Sequence, residues 1–367
     1  MKIALVVPGG VDRSGEYRVI PTLLALIARL ARRHQVHVFA LAQEPIAGAW
    51  KLAGADIHNI GARGVLPRAI AAILRENRAA PFSIVHSMWS GWCGLVAVTA
   101  ARVLGIPSLV HVAGGELVDL PEIGYGGRLR WYGRIREPFV LRNATAVSAA
   151  SEPIIGAIAP LGIEAQRVPL GVDLEVWPPR MPVRREGSGA ARLIHVASLN
   201  RVKDQATLLH ALAVLDASGV DFQMDIVGED TLRGEIQAMT AKLGLAERTT
   251  FHGFLPQRQL RPLMEAAHVN LISSLHEAGP LAMLEAAVAG VPTAGTAVGH
   301  IADWAPTAAL SAPPRQPVEL ASAIRRLLED EGLRLKIACE ALQRARAQDA
   351  DYTANRFLQI YRELTTR

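Results

Sequence analysis

The chain has 367 residues, of which 50% are hydrophobic, and a formal net charge of +5. A chain of that length is longer than a domain with a single hydrophobic core usually is, so we expect two domains. The two cysteines, Cys93 and Cys339, lie far apart without a Cys-x-x-Cys pair or a Cys/His cluster, which excludes a disulfide framework or zinc site of recognisable spacing. No apolar run approaches the roughly 18 residues of a membrane span, and the N-terminal one is too short for a signal peptide. We expect a cytoplasmic protein, soluble or peripheral to the inner face of the membrane.

The positive charge is concentrated in the first half. Residues 1–178 contain 18 lysines and arginines against 13 aspartates and glutamates, whereas the remainder contains 21 of each. Arginines interleave with aromatic and apolar residues in the segment 126–142, namely Arg128, Arg130, Arg134, Arg136 and Arg142. This segment predicts contact with an anionic partner, either a phosphorylated acceptor or a membrane surface, although a solvated helix face fits it as well. Nucleic acid is not expected, because no recognised binding motif accompanies the charge.

In chain order, short apolar runs alternate with longer amphipathic ones, which is typical of βα units. The predicted strands of the first half are KIALVV, QVHVFAL, DIHNI, SIVHS, PSLVHVA and ATAVSAA, with helices such as 18–33 and 93–104 between them. The second series is ARLIHVASL, DFQMDIVG, TTFHGF, VNLISS, VPTAGT and LSAP, with helices near 205–216, 231–243, 257–267, 281–289 and 317–330.

The segment 177–190 is rich in proline, glycine and charge, which is typical of a linker. We therefore expect an α/β protein with two doubly wound, Rossmann-like domains at 1–178 and 190–350. A final helix at 351–367 is followed by no strand and is expected to complete the first domain. In open α/β sheets, ligands bind beyond the carboxyl ends of the strands, so the βα turns are the candidate sites.

The turn after the first strand contains Gly9, Gly10 and Gly15. It resembles a glycine-rich phosphate turn without matching G-x-G-x-x-G. A tight backbone turn that binds no ligand is the equal alternative.

The stretch "LHEAGPLAMLEAAVAGVP" (275–292) places Glu277 and Glu285 eight positions apart. Residues 280–283 are expected to begin a helix whose free N–H groups suit a diphosphate. Glu277 precedes that helix and can reach a ligand, while Glu285, about two turns inside, can accept hydrogen bonds from a ribose. The spacing favours a sugar nucleotide. The alternative is that Glu277 caps the helix and Glu285 is an ordinary exposed glutamate.

Residues 273–300, "SSLHEAGPLAMLEAAVAGVPTAGTAVGH", resemble the Glu-x7-Glu motif of the retaining nucleotide-sugar glycosyltransferases of family four. The segment "VASLNRVKDQATLLHALA" is similar to that family's strand, turn and helix with a phosphate-binding lysine. "VPLGVDLEVWPP" is similar to its interdomain segment. The resemblance covers nearly the whole chain, is most specific in 190–300, and implies the GT-B fold of two facing Rossmann-like domains with a central cleft.

The resemblance implies that Glu277 contacts the donor sugar, that Glu285 holds the nucleotide ribose and that Lys203 neutralises the diphosphate. An exposed lysine at a helix start is the alternative for Lys203. By the same resemblance, further donor contacts fall at the helix start and beside the base, at Gly279, Leu281, Ala282, Gly253 and Phe254. No Asp-x-Asp metal motif is evident in the segments that resemble the family's donor site, so neither a metal nor a separate cofactor is expected.

Two positions depart from the family pattern. Where the family usually has an arginine, five residues before the lysine, this chain has Ser198, and Arg201 in the same turn is the candidate replacement for the phosphates.

Where the family often has a histidine, this chain has Ala113. His111, on the same side of the strand, is a partial replacement or simply a buried strand histidine. Glu116, after Gly114 and Gly115, is an alternative polar group for the acceptor or the donor.

The expected function is transfer of a hexose or similar sugar from a nucleoside-diphosphate sugar, with retention and without a metal. The first domain would bind the acceptor, a glycan, lipid-linked, phosphorylated or small molecule, and the second the donor. Two alternatives remain. A catalytically weak nucleotide-sugar-binding protein is suggested by Ser198 and Ala113. A GT-B nucleotide-sugar epimerase is disfavoured because no set of acid/base groups is evident.

Overall fold

The computed structural model describes residues 1–185, 187 and 189–366. Glu186 and Ser188 of the predicted linker, and Arg367 of the predicted final helix, lie outside the described residues. The chain divides into two compact units, the first comprising Met1–Asp173 and Ala350–Arg367 and the second Leu174–Asp349. The division falls ahead of the segment predicted as a linker.

The first unit is built on a sheet with the strand order β3-β4-β2-β1-β5-β6-β7-β8. Its strands are β1 (Lys2–Val7), β2 (Gln35–Ala40), β3 (Gly48–Leu52), β4 (Ala55–Asn59), β5 (Ile84–Ser87), β6 (Ser108–Val112), β7 (Ala146–Ala149) and β8 (Gln166–Arg167). The helices between them are α1 (Pro21–Ala31), α2 (Val65–Ala79), α3 (Leu95–Leu104), α4 (Trp131–Asn143) and α5 (Glu152–Ile158). All neighbouring strands are parallel except β3 and β4, so βα units generate the sheet.

The second unit has a parallel sheet with the order β11-β10-β9-β12-β13-β14. Its strands are β9 (Ala191–Val196), β10 (Phe222–Val227), β11 (Thr249–Gly253), β12 (Val269–Ile272), β13 (Thr293–Thr296) and β14 (Leu310–Ala312). Its helices are α6 (Gln205–Ala217), α7 (Glu235–Lys242), α8 (Gln257–Ala266), α9 (Leu281–Val288), α10 (Gly299–Trp304), α11 (Pro317–Glu329) and α12 (Glu331–Ala347). This is the doubly wound order of Rossmann sheets, with the reversal between β9 and β12.

The last helix, α13 (Ala350–Thr365), packs into the core of the first unit. Phe357, Ile360 and Tyr361 are buried beside side chains of β1, β2 and α1. The hydroxyl of Tyr361 lies 2.6 Å from Nδ1 of His86 on β5. The first unit is therefore assembled from two stretches of chain.

Two local expectations differ from the structure. The strands β3 and β8 were not predicted. The sequence of β3, GAWKL, lies at the sheet edge, half exposed, and lacks an apolar run, and β8 at the other edge has only two residues. The predicted linker is not a free connection, since it is bound to the second unit. Trp177 is buried, the N–H of Arg180 donates to the carbonyl of Val288, and that of Arg185 donates to Glu331 Oε1.

Candidate active site

The candidate site of the second unit lies where the strand order reverses, at the carboxyl ends of β9 and β12. The turn holding Lys203 follows β9, and the loop 273–280 follows β12. Two hydrogen bonds connect them: the N–H of Leu275 donates to the carbonyl of Val202 (2.8 Å), and Ser273 Oγ donates to the carbonyl of Lys203 (2.8 Å). The crevice at such a reversal is the usual ligand site of a doubly wound sheet.

Lys203 and Glu277 form an ion pair in this crevice. Lys203 Nζ lies 2.5 Å from Glu277 Oε1, and the side chains are 23% and 11% exposed. Ser274 Oγ donates to the same carboxylate oxygen at 2.6 Å. The capping alternative for Glu277 does not match the structure: the N-cap residue of α9 is Pro280, and the Glu277 carboxylate contacts Lys203 and Ser274. Lys203 is likewise not a freely exposed lysine.

The start of α9 is held by close packing at Gly279. A Cβ atom there would lie 2.5 Å from Nε2 of His300, which is buried. The helix begins at Leu281, so the N–H groups of Leu281 and Ala282 have no intrahelical acceptor. The N–H of Met283 donates to the carbonyl of Pro280 at 3.1 Å, which corrects the expectation that it is free.

Glu285 lies inside α9 and is buried, with 3% of its surface exposed. Its Oε1 accepts a hydrogen bond from Gln257 Nε2 at 3.0 Å. Burial raises the pKa of Glu285 to about 7, and the hydrogen bond from Gln257 partly opposes that rise. The exposed-helix alternative is therefore wrong, because the carboxyl group is withdrawn from water in a setting that favours a hydroxyl partner.

The other predicted donor residues lie at the carboxyl ends of β9 and β11. The two terminal guanidinium nitrogens of Arg201, Nη1 and Nη2, donate to the carboxylate of Glu235 at 2.6 and 2.7 Å, so the candidate replacement for the missing arginine is paired with another residue of the protein. The carbonyl of Ser198 accepts from Gln205. Gly253 ends β11 with a positive φ of 66°, and Phe254 after it is exposed.

The glycine turn of the first unit is satisfied within the protein. Gln43 Oε1 accepts hydrogen bonds from the N–H groups of Gly10 (2.6 Å) and Val11 (3.0 Å), and the N–H of Gly15 donates to the carbonyl of Asp12. A phosphate would have to displace Gln43. The structure therefore matches the tight-turn alternative rather than a phosphate turn at Gly9, Gly10 and Gly15.

His111 is fully buried, which corrects its assignment as a ligand-facing group. Its Nδ1 lies 2.9 Å from Oγ of Ser148, its partner on the neighbouring parallel strand, and its ring packs edge-on against Phe357. Burial lowers the pKa of His111 to about 3, so the ring is neutral. The buried-strand alternative is the one observed.

Glu116 is buried beneath Gly114. Its Oε1 accepts from the N–H groups of Ser90 (3.2 Å) and Ala113 (3.4 Å). A Cβ atom at Gly114 would lie 3.0 Å from Glu116 Oε2, an oxygen for which the described residues supply no hydrogen-bond donor. Burial raises the pKa of Glu116 to about 7, and the nearby charge of Glu137 adds to the rise.

Several residues of these sites were not predicted: Gln43, Ser274, Gln257 and His300. Each contacts one predicted residue: Gln43 the N–H of Gly10, Ser274 the carboxylate of Glu277, Gln257 the carboxyl group of Glu285, and His300 the backbone at Gly279. Three of the four lie in another element from the residue they contact. Ser274 is the exception, since it lies only three positions before Glu277 and its hydroxyl group is therefore a local feature of the sequence.

The arginine-rich segment forms α4 and the turn before it. Trp131, Ile135 and Phe139 recur every four residues on α4 and are exposed. Arg136 is not part of the exposed charge, because it is ion-paired with the fully buried Glu137 at 2.7 Å. Arg134 is paired with Asp119. Within the described residues, every helix is too short or too polar to cross a membrane.

Two doubly wound units, with a lysine, two glutamates and a helix start at the strand reversal of the second, define an α/β protein of the GT-B type. Sucrose-phosphate synthase of Thermosynechococcus elongatus has this fold, with a TM-score of 0.85 over 100% of both chains at 19% identity. HepE of Anabaena, solved in complex with UDP-glucose, superimposes with a TM-score of 0.75 over 99% of this chain and 100% of its own, at 19% identity.

Family models assign both halves of the sequence. Residues 19–171 match the glycosyl transferase 4-like domain, and residues 182–344 match glycosyl transferases group 1. The 2-deoxystreptamine glucosyltransferase of Streptomyces kanamyceticus is 28% identical over 284 residues, which is 72% of this chain and 73% of that protein. The chain belongs to the group 1 glycosyltransferases of family four, which confirms the predicted family and the GT-B fold.

Proposed function

We propose that this glycosyltransferase transfers a hexose from a nucleoside-diphosphate sugar to an acceptor, with retention of the anomeric configuration and without a metal ion. The ion pair between Lys203 and Glu277 at the β9/β12 reversal carries the proposal. The UDP-glucose bound to HepE and the glucosyl activity in the name of the Streptomyces relative support a nucleotide-sugar donor. Retention rests on the resemblance of the Glu-x7-Glu motif.

The leaving group is a nucleoside diphosphate whose negative charge grows as the glycosidic bond breaks. Lys203 and the N–H groups of Leu281 and Ala282 are donors suited to that charge, and the start of α9 adds its dipole. Without donor, Glu277 neutralises Lys203 in a partly buried crevice, where an unpaired charge would be costly. When the donor binds, its diphosphate replaces Glu277 as the ion-pair partner of Lys203. The Glu277 carboxylate is then available to accept hydrogen bonds from the sugar hydroxyls.

Glu285 receives the ribose hydroxyls, and Gly253 and Phe254 border the base. Ribose hydroxyls are donors, and the buried carboxyl group accepts bonds that water does not compete for. In the first unit, we assign Glu116 to the acceptor, because its Oε2 is an unsatisfied hydrogen-bond acceptor among the described residues.

The exposed aromatic and aliphatic side chains of α4, together with Arg128, Arg130 and Arg142, make a surface suited to anionic lipid. We therefore propose that the protein works at the cytoplasmic membrane face. Binding to phosphatidylglycerol vesicles, absent with phosphatidylcholine and reduced by Trp131→Ser with Arg130→Glu, tests this. Equal binding to both vesicle types would exclude it.

The donor assignment is tested by thermal denaturation with UDP or GDP, in the presence of a chelator. We expect a higher Tm with one nucleotide, a loss of that shift in Lys203→Ala, and no loss in Lys242→Ala, an exposed lysine of the same unit. An unchanged Tm with every nucleotide would refute the donor site. Nucleotide binding without sugar transfer or donor hydrolysis would favour the alternative of a catalytically weak binding protein, which the engagement of Arg201 by Glu235 supports.

A further inference from the structure

The first unit contains a cavity of about 770 Å³ that the donor chemistry does not use. It opens at the carboxyl ends of three adjacent strands. Pro8 follows β1 and Leu41 follows β2, while Trp89 and Trp92 belong to the stretch after β5; Leu66 contributes from the first turn of α2.

The cavity lies where the strand order of this sheet reverses, between β1 and β5. This is the position at which doubly wound sheets receive ligands. Residues Ser90–Gly94 beside it form a kinked turn before α3, in which Gly91 has a non-helical φ of 15° and ψ of −137°.

The chemistry of the lining defines the ligand. Each lining residue is aliphatic, aromatic, proline, glycine or cysteine, so none of them carries a charge. A polar group inside would lose its hydration without a charged side chain to replace it, whereas an apolar chain loses nothing. The volume falls within the roughly 300–1,000 Å³ of ordinary ligand pockets.

The rim of the cavity continues onto the surface of α4. Trp92, which lines the cavity and is itself half exposed, stacks near Tyr132 with ring centroids 6.4 Å apart, and the Arg136 guanidinium lies 4.4 Å from its ring centre. Trp92 and Tyr132 are exposed aromatic side chains, which are typical of the boundary between lipid and water, while Arg136 packs on Trp92 from its buried pairing with Glu137.

We propose that this cavity binds the apolar chain of a lipid-linked acceptor. The role of the bound molecule as acceptor rests on the proposed transferase function, whereas the binding of its chain does not. The saccharide or phosphate end lies outside the cavity, and the chain enters past Trp92 from the lipid surface that α4 contacts.

The test uses the full chain and dodecyl phosphate brominated on its alkyl chain, below its micelle concentration. Bromine quenches nearby tryptophan fluorescence, and Trp89 and Trp92 are the reporters. We expect saturable quenching that Leu66→Glu or Ala42→Phe weakens at least tenfold, the first by placing a charge in the cavity and the second by filling it. Val103→Glu, on an exposed position of α3 outside the cavity, should leave it unchanged.

UDP stabilisation, measured on the same samples, separates the two proposals. Retained UDP stabilisation with no quenching, or with equal quenching in all variants, overturns the chain-binding inference and leaves the donor site intact. Binding of the soluble ring compound 2-naphthol without binding of the alkyl probe overturns the lipid assignment. Quenching without any nucleotide effect would support the cavity and refute the proposed function instead.

Discussion

At the scale of single residues, Glu277 and Glu285 occupy different environments although one loop and helix carries both. Glu277 is ion-paired with Lys203 and accepts a hydrogen bond from the Ser274 hydroxyl, two contacts that it can exchange for others. Glu285 is withdrawn from water with one amide donor, Gln257. The environment of Glu277 suits a group that exchanges its partner as charge develops during a reaction. The environment of Glu285 suits a binding contact that does not change.

Substitution of the two glutamates should therefore change different kinetic parameters. Glu277→Gln should lower kcat strongly and spare UDP affinity, because in the proposed donor site its carboxylate contacts the sugar, whose positive charge rises in the transition state. Glu285→Gln should raise the donor KM and weaken UDP binding by roughly 1–3 kcal/mol, since ribose contacts are shared by ground and transition states. Steady-state kinetics and calorimetry measure both. Equal, small effects of both substitutions would contradict the separate roles.

Glu285 also predicts a dependence of stability on pH. Its pKa in the folded chain is about 7, against an ordinary value of 4.5, so the folded state binds the proton more tightly. Stability is then lost as the pH rises from about 4.5 to 7, by roughly 3 kcal/mol at about 1.4 kcal/mol per pH unit. Glu285→Gln should be more stable than the parent protein at pH 8 and equal to it near pH 4.5.

Hydrogen exchange of peptides from the second unit, without nucleotide, measures this difference. The exposed Glu247→Gln is the matched control and should follow the parent protein at both pH values. A Glu285→Gln variant that is less stable than the parent at pH 8 would show that the buried carboxylate is stabilised rather than penalised.

At the scale of elements, the start of α9 depends on the absence of a side chain at Gly279. Gly279→Ala would press a methyl group against His300, whose ring is buried and stacked near Trp304. We expect a loss of about 1–3 kcal/mol from overpacking, together with weaker UDP binding because the first N–H groups of α9 shift. Gly189→Ala, where a Cβ meets none of the described atoms within 4 Å, should do neither.

The double variant Gly279→Ala with His300→Ala provides the room that the single variant lacks. It should recover part of the UDP affinity, as measured by calorimetry. If it binds UDP no better than Gly279→Ala alone, the contact with His300 is not what limits the helix start.

The regular elements around this site were predictable because their patterns are local. The apolar runs of β9 and β12 and the Gly-Pro before α9 locate the loops that carry Lys203 and Glu277. What was not predictable depends on contacts between distant residues. Gln43 satisfies the glycine turn from 33 positions away, and Glu235 engages Arg201 from 34 positions away. Neither pairing can be inferred from the residue spacing of the glycine turn or of the turn that contains Arg201.

At the scale of the whole molecule, Arg29 of α1 forms ion pairs with both stretches of chain that make up the first unit, residues 1–173 and 350–367. Its nitrogens lie 3.0 Å from Asp173, where the chain leaves the unit, and 3.1 Å from Asp351, where α13 begins. The side chain is nearly buried, so this pairing is held with little competition from water.

Arg29→Met should therefore loosen α13. We expect a loss of up to about 3 kcal/mol, the low end for a broken buried pair because both aspartates stay partly hydrated. Hydrogen exchange should accelerate in α13 and α1 and stay unchanged in the second unit. Arg32→Met, whose guanidinium is half exposed and 3.9 Å from Asp351, is the matched control. Unchanged exchange in α13 would show that its apolar packing alone holds it.

The return of the chain to the first unit also sets an order of events during translation. Residues 1–173 emerge first, but the apolar side chains that Phe357, Ile360 and Tyr361 cover stay uncovered until residues 350–365 have left the ribosome. The second unit is continuous in sequence and has all its strands available before then. At about 5–20 residues per second, the intervening stretch imposes a delay of roughly 10–35 s. The half of the protein synthesised first is therefore the half completed last, and during that interval part of its apolar core stays uncovered.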